Sequence, residues 1–169
     1  MSGFKGHIVG AVAVNTVYIG AARLLPGNTL AKTQGVLSYW QFLLALYVIA
    51  VLFGLWPDVD TNSKGQNIFF GLAFIADILL IASGRTEAAA YLGLLAMTPI
   101  IGRHRGWTHS KLAMVLVPLP IIVIPYLNRA SILIPACLIY GAAVAGYFSH
   151  LLLDGLIVKT VHFKSQRND

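Results

Sequence analysis

The chain has 169 residues, 57% of them hydrophobic and 11% charged, with a mean hydropathy of +0.76; this excludes an ordinary soluble domain and points to one membrane-embedded domain over 1–169. Its net charge of +6 comes from Lys and Arg spaced singly at the ends of apolar segments, a pattern of membrane topology and headgroup contact, so no nucleic-acid partner is expected. The lone Cys137 lies in an apolar run and reads as a buried, inert thiol, which leaves neither a disulfide framework nor a thiolate metal site.

Hydropathy predicts six apolar spans, at 7–23, 39–56, 66–82, 88–102, 112–127 and 131–153, and hence an all-α, polytopic membrane bundle. In the first, Lys5 followed by Ile8 to Ile19 and Gly20-Ala21-Ala22 has the outline of a secretory signal, but Gly6, His7, Gly10 and Asn15 interrupt it. Gly3, Gly6, Gly10 and Ala13 form a small-residue stripe along which another helix can approach closely. Most spans lie near the lower limit of about 17 residues for crossing a bilayer, and the fourth is shorter still. The fifth carries Pro118, Pro120 and Pro125 and is expected to kink. Breaks are expected at Pro26-Gly27-Asn28, Thr61 to Gly65, Ser83-Gly84-Arg85 and Asn128-Arg129. Asp77 falls inside the third span, with no partner assigned to it by the sequence.

The polar residues are grouped. His7, His104, His109 and His150, with Asp58, Asp60 and Asp154, lie in four short clusters, each at the end of an apolar segment. Threading the spans from the N-terminal side puts His7 at the start of span one and returns Trp56-Pro57-Asp58-Val59-Asp60 on span two. Spans three and four deliver His104 and His109, and spans five and six deliver His150 and Asp154. All four clusters therefore reach one side, an arrangement that an odd number of crossings between any two of them would destroy. That side carries Lys5, Lys64, Arg103, Arg105, Lys111, Lys159, Lys164 and Arg167, against Arg23, Lys32, Arg85 and Arg129 on the other, and is predicted to be cytoplasmic.

His150 and Asp154, four apart near a helix end, share one face about 5–6 Å apart at Cβ. They suit either a metal or a hydrogen-bonded helix end; a His–carboxylate set favours zinc, manganese or iron over magnesium or calcium. Asp58 and Asp60 flank Val59 after Pro57, either as a solvated turn or facing one centre as ligands, or as ligand and base. His104 and His109 are five apart, which does not stack on a regular helix and implies a loop or helix start, with Thr108 or Ser110 as N-cap. His109 is favoured as a ligand; His104 is a ligand, an outer partner of one, or a proton shuttle. Arg105 pairs with Asp58 or Asp60, or forks an anion such as phosphate. His7 is an interfacial polar residue by itself and a ligand by its side of the membrane.

The sequence contains no His-Glu-x-x-His, Gly-x-Ser-x-Gly, Gly-x-x-x-x-Gly-Lys or Gly-x-Gly-x-x-Gly, which argues against zincin proteases, serine esterases, NTPases and dinucleotide enzymes. Four elements carry a resemblance. They are Gly6-His7, Pro57-Asp58-Val59-Asp60, His104-Arg105-Gly106-Trp107-Thr108-His109-Ser110, and Gly146-Tyr147-Phe148-Ser149-His150-Leu151-Leu152-Leu153-Asp154. With these the chain resembles the YdjM-like family of bacterial inner-membrane proteins, described as membrane-bound metal-dependent hydrolases. That family is distantly similar to zinc-dependent phospholipase C and the single-strand nucleases of its fold. The resemblance implies His7, Asp58, His109, His150 and Asp154 as metal ligands, with Asp60 and His104 next, and a multi-pass protein of the bacterial cytoplasmic membrane. Relatives continue after the last motif with a Pro/Gly-rich segment and another apolar stretch; here Leu156 to Asp169 is short and polar.

The expected function is a metal-dependent hydrolase of phosphoesters such as lipid or lipid-linked phosphates. One to three divalent ions, zinc first, would be held by His7, Asp58, Asp60, His109, His150 and Asp154. Asp60 or His104 would accept the proton, and Arg105, with Lys111, would face the anionic substrate. The alternative is a non-catalytic metal-binding membrane module or a divalent-metal transporter. A transporter calls for mid-membrane ligands and repeated halves, and the sequence offers only Asn15 and Asp77 at mid-span.

Overall fold

Apolar runs bounded by glycine, proline and polar breaks form helices throughout the described residues of the computed structural model, which are 3–24, 28–59, 64–101, 107–128 and 133–156. The helices are α1 (Phe4–Ala22), α2 (Asn28–Leu37), α3 (Trp40–Leu55), α4 (Lys64–Ala82), α5 (Thr86–Ile101), α6 (Lys111–Leu116), α7 (Pro120–Asn128) and α8 (Leu133–Leu153). A single 3-10 turn, Trp56–Asp58, follows α3. The all-α expectation holds, since no strand occurs among the described residues.

Of the expected breaks, Ser83-Gly84-Arg85 lies wholly within the described residues; Pro26, Gly27, Thr61 to Ser63 and Arg129 lie outside them. Gly84, at φ 72°, ends α4: Gly84 N–H bonds the Ile81 carbonyl and Arg85 N–H that of Leu80, the two bonds of a Schellman cap. Pro118 and Pro120 divide the fifth predicted span into α6 and α7, as the kink expectation requires. Ser110, rather than Thr108, caps α6, its hydroxyl accepting the Ala113 N–H at 3.0 Å. The helix α2, Asn28–Leu37, lies between the first two predicted spans and belongs to neither. One expectation is corrected. Cys137 is exposed rather than buried, because an apolar run does not by itself reveal which face of α8 a residue occupies.

The centre of the fold is α1, α3 and α8, with α3 and α8 running toward the polar clusters and α1 running away from them. Small residues set how closely these helices approach. A Cβ on Gly146 would overlap the Ala50 backbone carbonyl, and one on Gly54 would lie 2.9 Å from Ala11 Cβ. Gly10 of the predicted stripe does admit a neighbour, since its added Cβ would lie 2.7 Å from Leu153 Cδ1, whereas Gly3 has nothing within 4 Å. The buried positions of α1 are His7, Ala11, Asn15, Ile19 and Ala22, a stripe at helical spacing. At the opposite end Tyr18 OH donates to the Leu138 carbonyl at 3.2 Å.

The exterior of the bundle is strongly apolar, and several polar residues lie inside it. His7, Asn15, Thr33, Thr108, Ser149 and His150 are buried, while Leu24, Val17, Phe74, Leu94 and Leu127 are 66–83% exposed. Such an apolar exterior fits lipid, where helix association rests on close packing rather than on burial from water. Of the six predicted spans, two are helices long and apolar enough to cross a membrane, Trp40–Asp58 and Leu133–Leu153; Gln66–Ala82, Thr86–Met97 and Lys111–Leu127 are apolar but shorter, and the first span, α1, falls in neither group. Asp77 of α4 faces α5, where a Cβ on Gly93 would lie 3.7 Å from its Oδ2.

Candidate metal centre

Four elements bring five of the predicted residues to one end of the α1, α3 and α8 core. His7 comes from the first turns of α1, Asp58 from the 3-10 turn after α3, His109 from the turn before α6, and His150 and Asp154 from the end of α8. Asp60, His104 and Arg105 lie outside the described residues.

Local structure explains each placement. Pro57 lies in the turn that carries Asp58, and Val59 N–H closes that turn on the Trp56 carbonyl at 3.2 Å. The Gln66 side chain donates to the Val59 carbonyl at 2.9 Å, tying the same segment to α4. Asp154 is the C-cap of α8: Gly155, at φ 71°, and Leu156 bond back to Leu152 and Leu151, a Schellman cap that stops the helix at the carboxylate. The His109 segment is held by Tyr147, whose hydroxyl donates to the Thr108 carbonyl from one turn before His150. Beneath it, Trp56 meets Trp107 edge-on at 5.6 Å and Tyr147 at 5.7 Å, and Trp56 Nε1–H donates to the Leu95 carbonyl.

The donor atoms face one another. His150 Nε2 lies 3.3 Å from Asp154 Oδ2, 3.6 Å from Asp58 Oδ1 and 3.4 Å from His109 Nε2. His109 Nε2 lies 3.5 Å from Asp58 Oδ1 and 3.9 Å from Asp154 Oδ2. These separations exceed the usual N–H···O range of about 2.7–3.2 Å. They run from 3.3 to 3.9 Å, equal to or somewhat wider than the edges, about 3.3–3.4 Å, of a tetrahedron whose donors sit roughly 2.0–2.1 Å from a zinc-like ion. Asp58, His109, His150 and Asp154 form a group of four able to hold such an ion, with donor atoms within 4.8 Å of one another.

The nitrogen of His150 is prepared for that task. Its Nδ1 lies 2.8 Å from the Gly54 carbonyl, which can only accept, so Nδ1 carries the proton and Nε2 presents a lone pair in the neutral ring. Full burial leaves this ring no aqueous alternative. His109 turns its other nitrogen toward Thr108 Oγ1 at 3.2 Å. The Asp154 side chain is 7% exposed, and its Oδ1 is buried without a hydrogen-bond partner among the described residues, a costly state for a carboxylate unless a cation is present. The donor set therefore fits a divalent ion. Sequence reasoning does not single out Gly54 or Tyr147; the nearest signal is that Tyr147 stands three residues before His150, inside the same motif.

The family model of the YdjM inner membrane protein matches residues 1–163. The chain belongs to the YdjM inner membrane protein family. Membership supports the inner-membrane setting that the lipid-facing exterior calls for, and it spans every element that contributes to the YdjM chain's His/Asp cluster. No curated protein and no solved structure matches the chain.

Proposed function

We propose that this YdjM-family protein is a multi-pass, membrane-embedded metal-dependent hydrolase of phosphoesters, acting on lipid or lipid-linked phosphates. The observation that carries the reading is the convergence of Asp58, His109, His150 and Asp154 donors at one end of a bundle with an apolar exterior. A divalent ion held there would supply positive charge that brings the pKa of a water molecule toward about 7 and offsets charge developing on a phosphoryl group. His150, fixed by Gly54, and His109, fixed through Thr108, keep the donor set from rearranging. Asp60 or His104 accepts the proton as water attacks phosphorus and the ester P–O bond breaks, while Arg105 forks the phosphoryl oxygens. The polar cluster stands at helix ends rather than at mid-helix, which favours chemistry at headgroup level over transport through the bundle. The cluster side is cytoplasmic in this reading.

The test is metal content of detergent-purified protein by elemental mass spectrometry, with His150→Ala and Asp154→Ala beside the wild type. Stoichiometric zinc, manganese or iron that both variants lose supports the reading. A wild type that holds none after reconstitution removes it. Phosphate release from phospholipid in mixed micelles then tests the chemistry: Asp60→Asn is expected to abolish turnover with metal retained, and full activity in that variant would exclude Asp60 from proton transfer.

A further inference from the structure

The residues of the centre are not equally enclosed. The side chains of His7, His150 and Asp154 are 2%, 0% and 7% exposed, whereas those of Asp58 and His109 are 29% and 25% exposed and form the open face. His109 is tied to α8, since Tyr147 donates to the Thr108 carbonyl. Asp58 is held from another direction.

The helix α3 ends at Leu55, and Asp58 rides on the 3-10 turn beyond it, which Val59 N–H closes on the Trp56 carbonyl. Carbonyls at the end of a helix have no partner within it. That of Val59, next in the chain to Asp58, accepts from Gln66 Nε2 at 2.9 Å; a carbonyl can only accept, so the amide nitrogen of Gln66 is the end that faces it. On the other flank of Asp58, Trp56 Nε1–H donates to the Leu95 carbonyl at 3.3 Å. The turn is thus gripped by α4 on one side and by α5 on the other. These two helices pack on each other and meet the rest of the bundle chiefly at α3 and at this turn. Their outer sides, where Phe74, Ile75, Leu79, Leu94 and Met97 are 55–67% exposed, fit lipid.

We propose that Gln66 is the positioning residue of Asp58, and that the α4–α5 hairpin through it sets the open face of the centre. The inference rests on the metal-centre reading above and deepens it. Gln66 touches the backbone one residue from the ligand, so it acts on Asp58 by fixing the turn rather than by meeting an ion. The coupling runs both ways by linkage: a divalent ion that fixes Asp58 also fixes the turn and, through Gln66, the start of α4.

The probe is zinc alone, titrated into chelator-stripped protein in detergent against a fluorescent chelator. Hydrogen–deuterium exchange with and without zinc is read by mass spectrometry. In the wild type zinc is expected to slow exchange at the end of α8 and in the first turns of α4. Gln66→Met, similar in length and without an N–H donor, should keep the protection in α8 and lose that in α4. It should also bind zinc about 10-fold more weakly, as removal of a ligand's supporting partner does. Asn67→Met, at the exposed neighbouring position, should behave as the wild type. Unchanged zinc affinity and unchanged α4 protection in Gln66→Met overturn the proposal. A wild type in which zinc protects α8 and leaves α4 unaffected overturns it without any variant. Equal losses in Asn67→Met overturn the assignment to Gln66. A wild type that binds no zinc overturns the metal centre itself, and the positioning role with it.

Discussion

Gly146→Ala adds one methyl group at the closest point between α3 and α8. The new Cβ would meet the carbonyl oxygen, carbonyl carbon and Cα of Ala50, all backbone atoms that cannot rotate away. Restoring ordinary contact requires the two helices to move apart by an amount on the order of 1 Å. That movement falls one turn from the 2.8 Å bond between His150 Nδ1 and the Gly54 carbonyl, stretching it past the limit of roughly 3.2 Å for a good hydrogen bond. Overpacking costs about 1–3 kcal/mol and the lost bond about 1 kcal/mol more, so the expected destabilisation is about 2–4 kcal/mol. At roughly 2–4 °C per kcal/mol this lowers the Tm by about 10 °C. Zinc affinity should fall with it by about 10–100-fold, the usual effect of disturbing the partner of a ligand. Three further glycines provide a scale. Gly54→Ala meets Ala11 Cβ at 2.9 Å and the Gly146 carbonyl at 3.3 Å and should be intermediate. Gly10→Ala meets closely the movable, part-exposed end of Leu153 and touches Ser149 Cβ at an ordinary 3.7 Å, and should cost under about 1 kcal/mol. Gly71→Ala, mid-helix in α4 with nothing within 4 Å, should be neutral or stabilise by about 0.5–1 kcal/mol. Thermal unfolding in detergent, with zinc titration of each variant, measures the series. A Gly146→Ala protein as stable and as zinc-avid as Gly71→Ala would refute the reasoning.

Tyr147→Phe removes the hydroxyl that holds the Thr108 carbonyl, with an expected loss of about 1–3 kcal/mol in stability; unchanged zinc titration would mean that His109 is held by other means. Ser110→Ala deletes the cap of α6 and should cost about 1 kcal/mol, read as a lower Tm with metal stoichiometry intact. Asp77→Leu removes a carboxylate whose Oδ1 is buried without a hydrogen-bond partner among the described residues, and should raise the Tm with metal content unchanged. A lower Tm there would show that Asp77 has a stabilising role. A green fluorescent protein fused behind Asp169 should fluoresce, as a cytoplasmic cluster side requires; a dark fusion with active alkaline phosphatase in its place would reverse the orientation.

The sequence by itself determined the helical character, the break at Ser83-Gly84-Arg85 and the grouping of the His/Asp clusters. These are local or additive properties: apolar composition disfavours irregular backbone in lipid, and glycine and proline act on their own segments. Threading six expected spans leads to one shared side for His7, Asp58, His109, His150 and Asp154, and these five residues do converge at one end of the core. Tertiary structure decided what depends on faces and on neighbours distant in the chain. Periodicity does not say that Cys137 turns outward, or that α8 approaches α3 at Gly146 and Ala50. Nor could it give His150 its tautomer, because the carbonyl that fixes it belongs to Gly54, 96 residues away. The division of the Asp58 and Asp154 oxygens between His7 and the His109–His150 pair is of the same kind. A motif names the carboxylate, but only the packing of separate helices decides which way each of its oxygens faces.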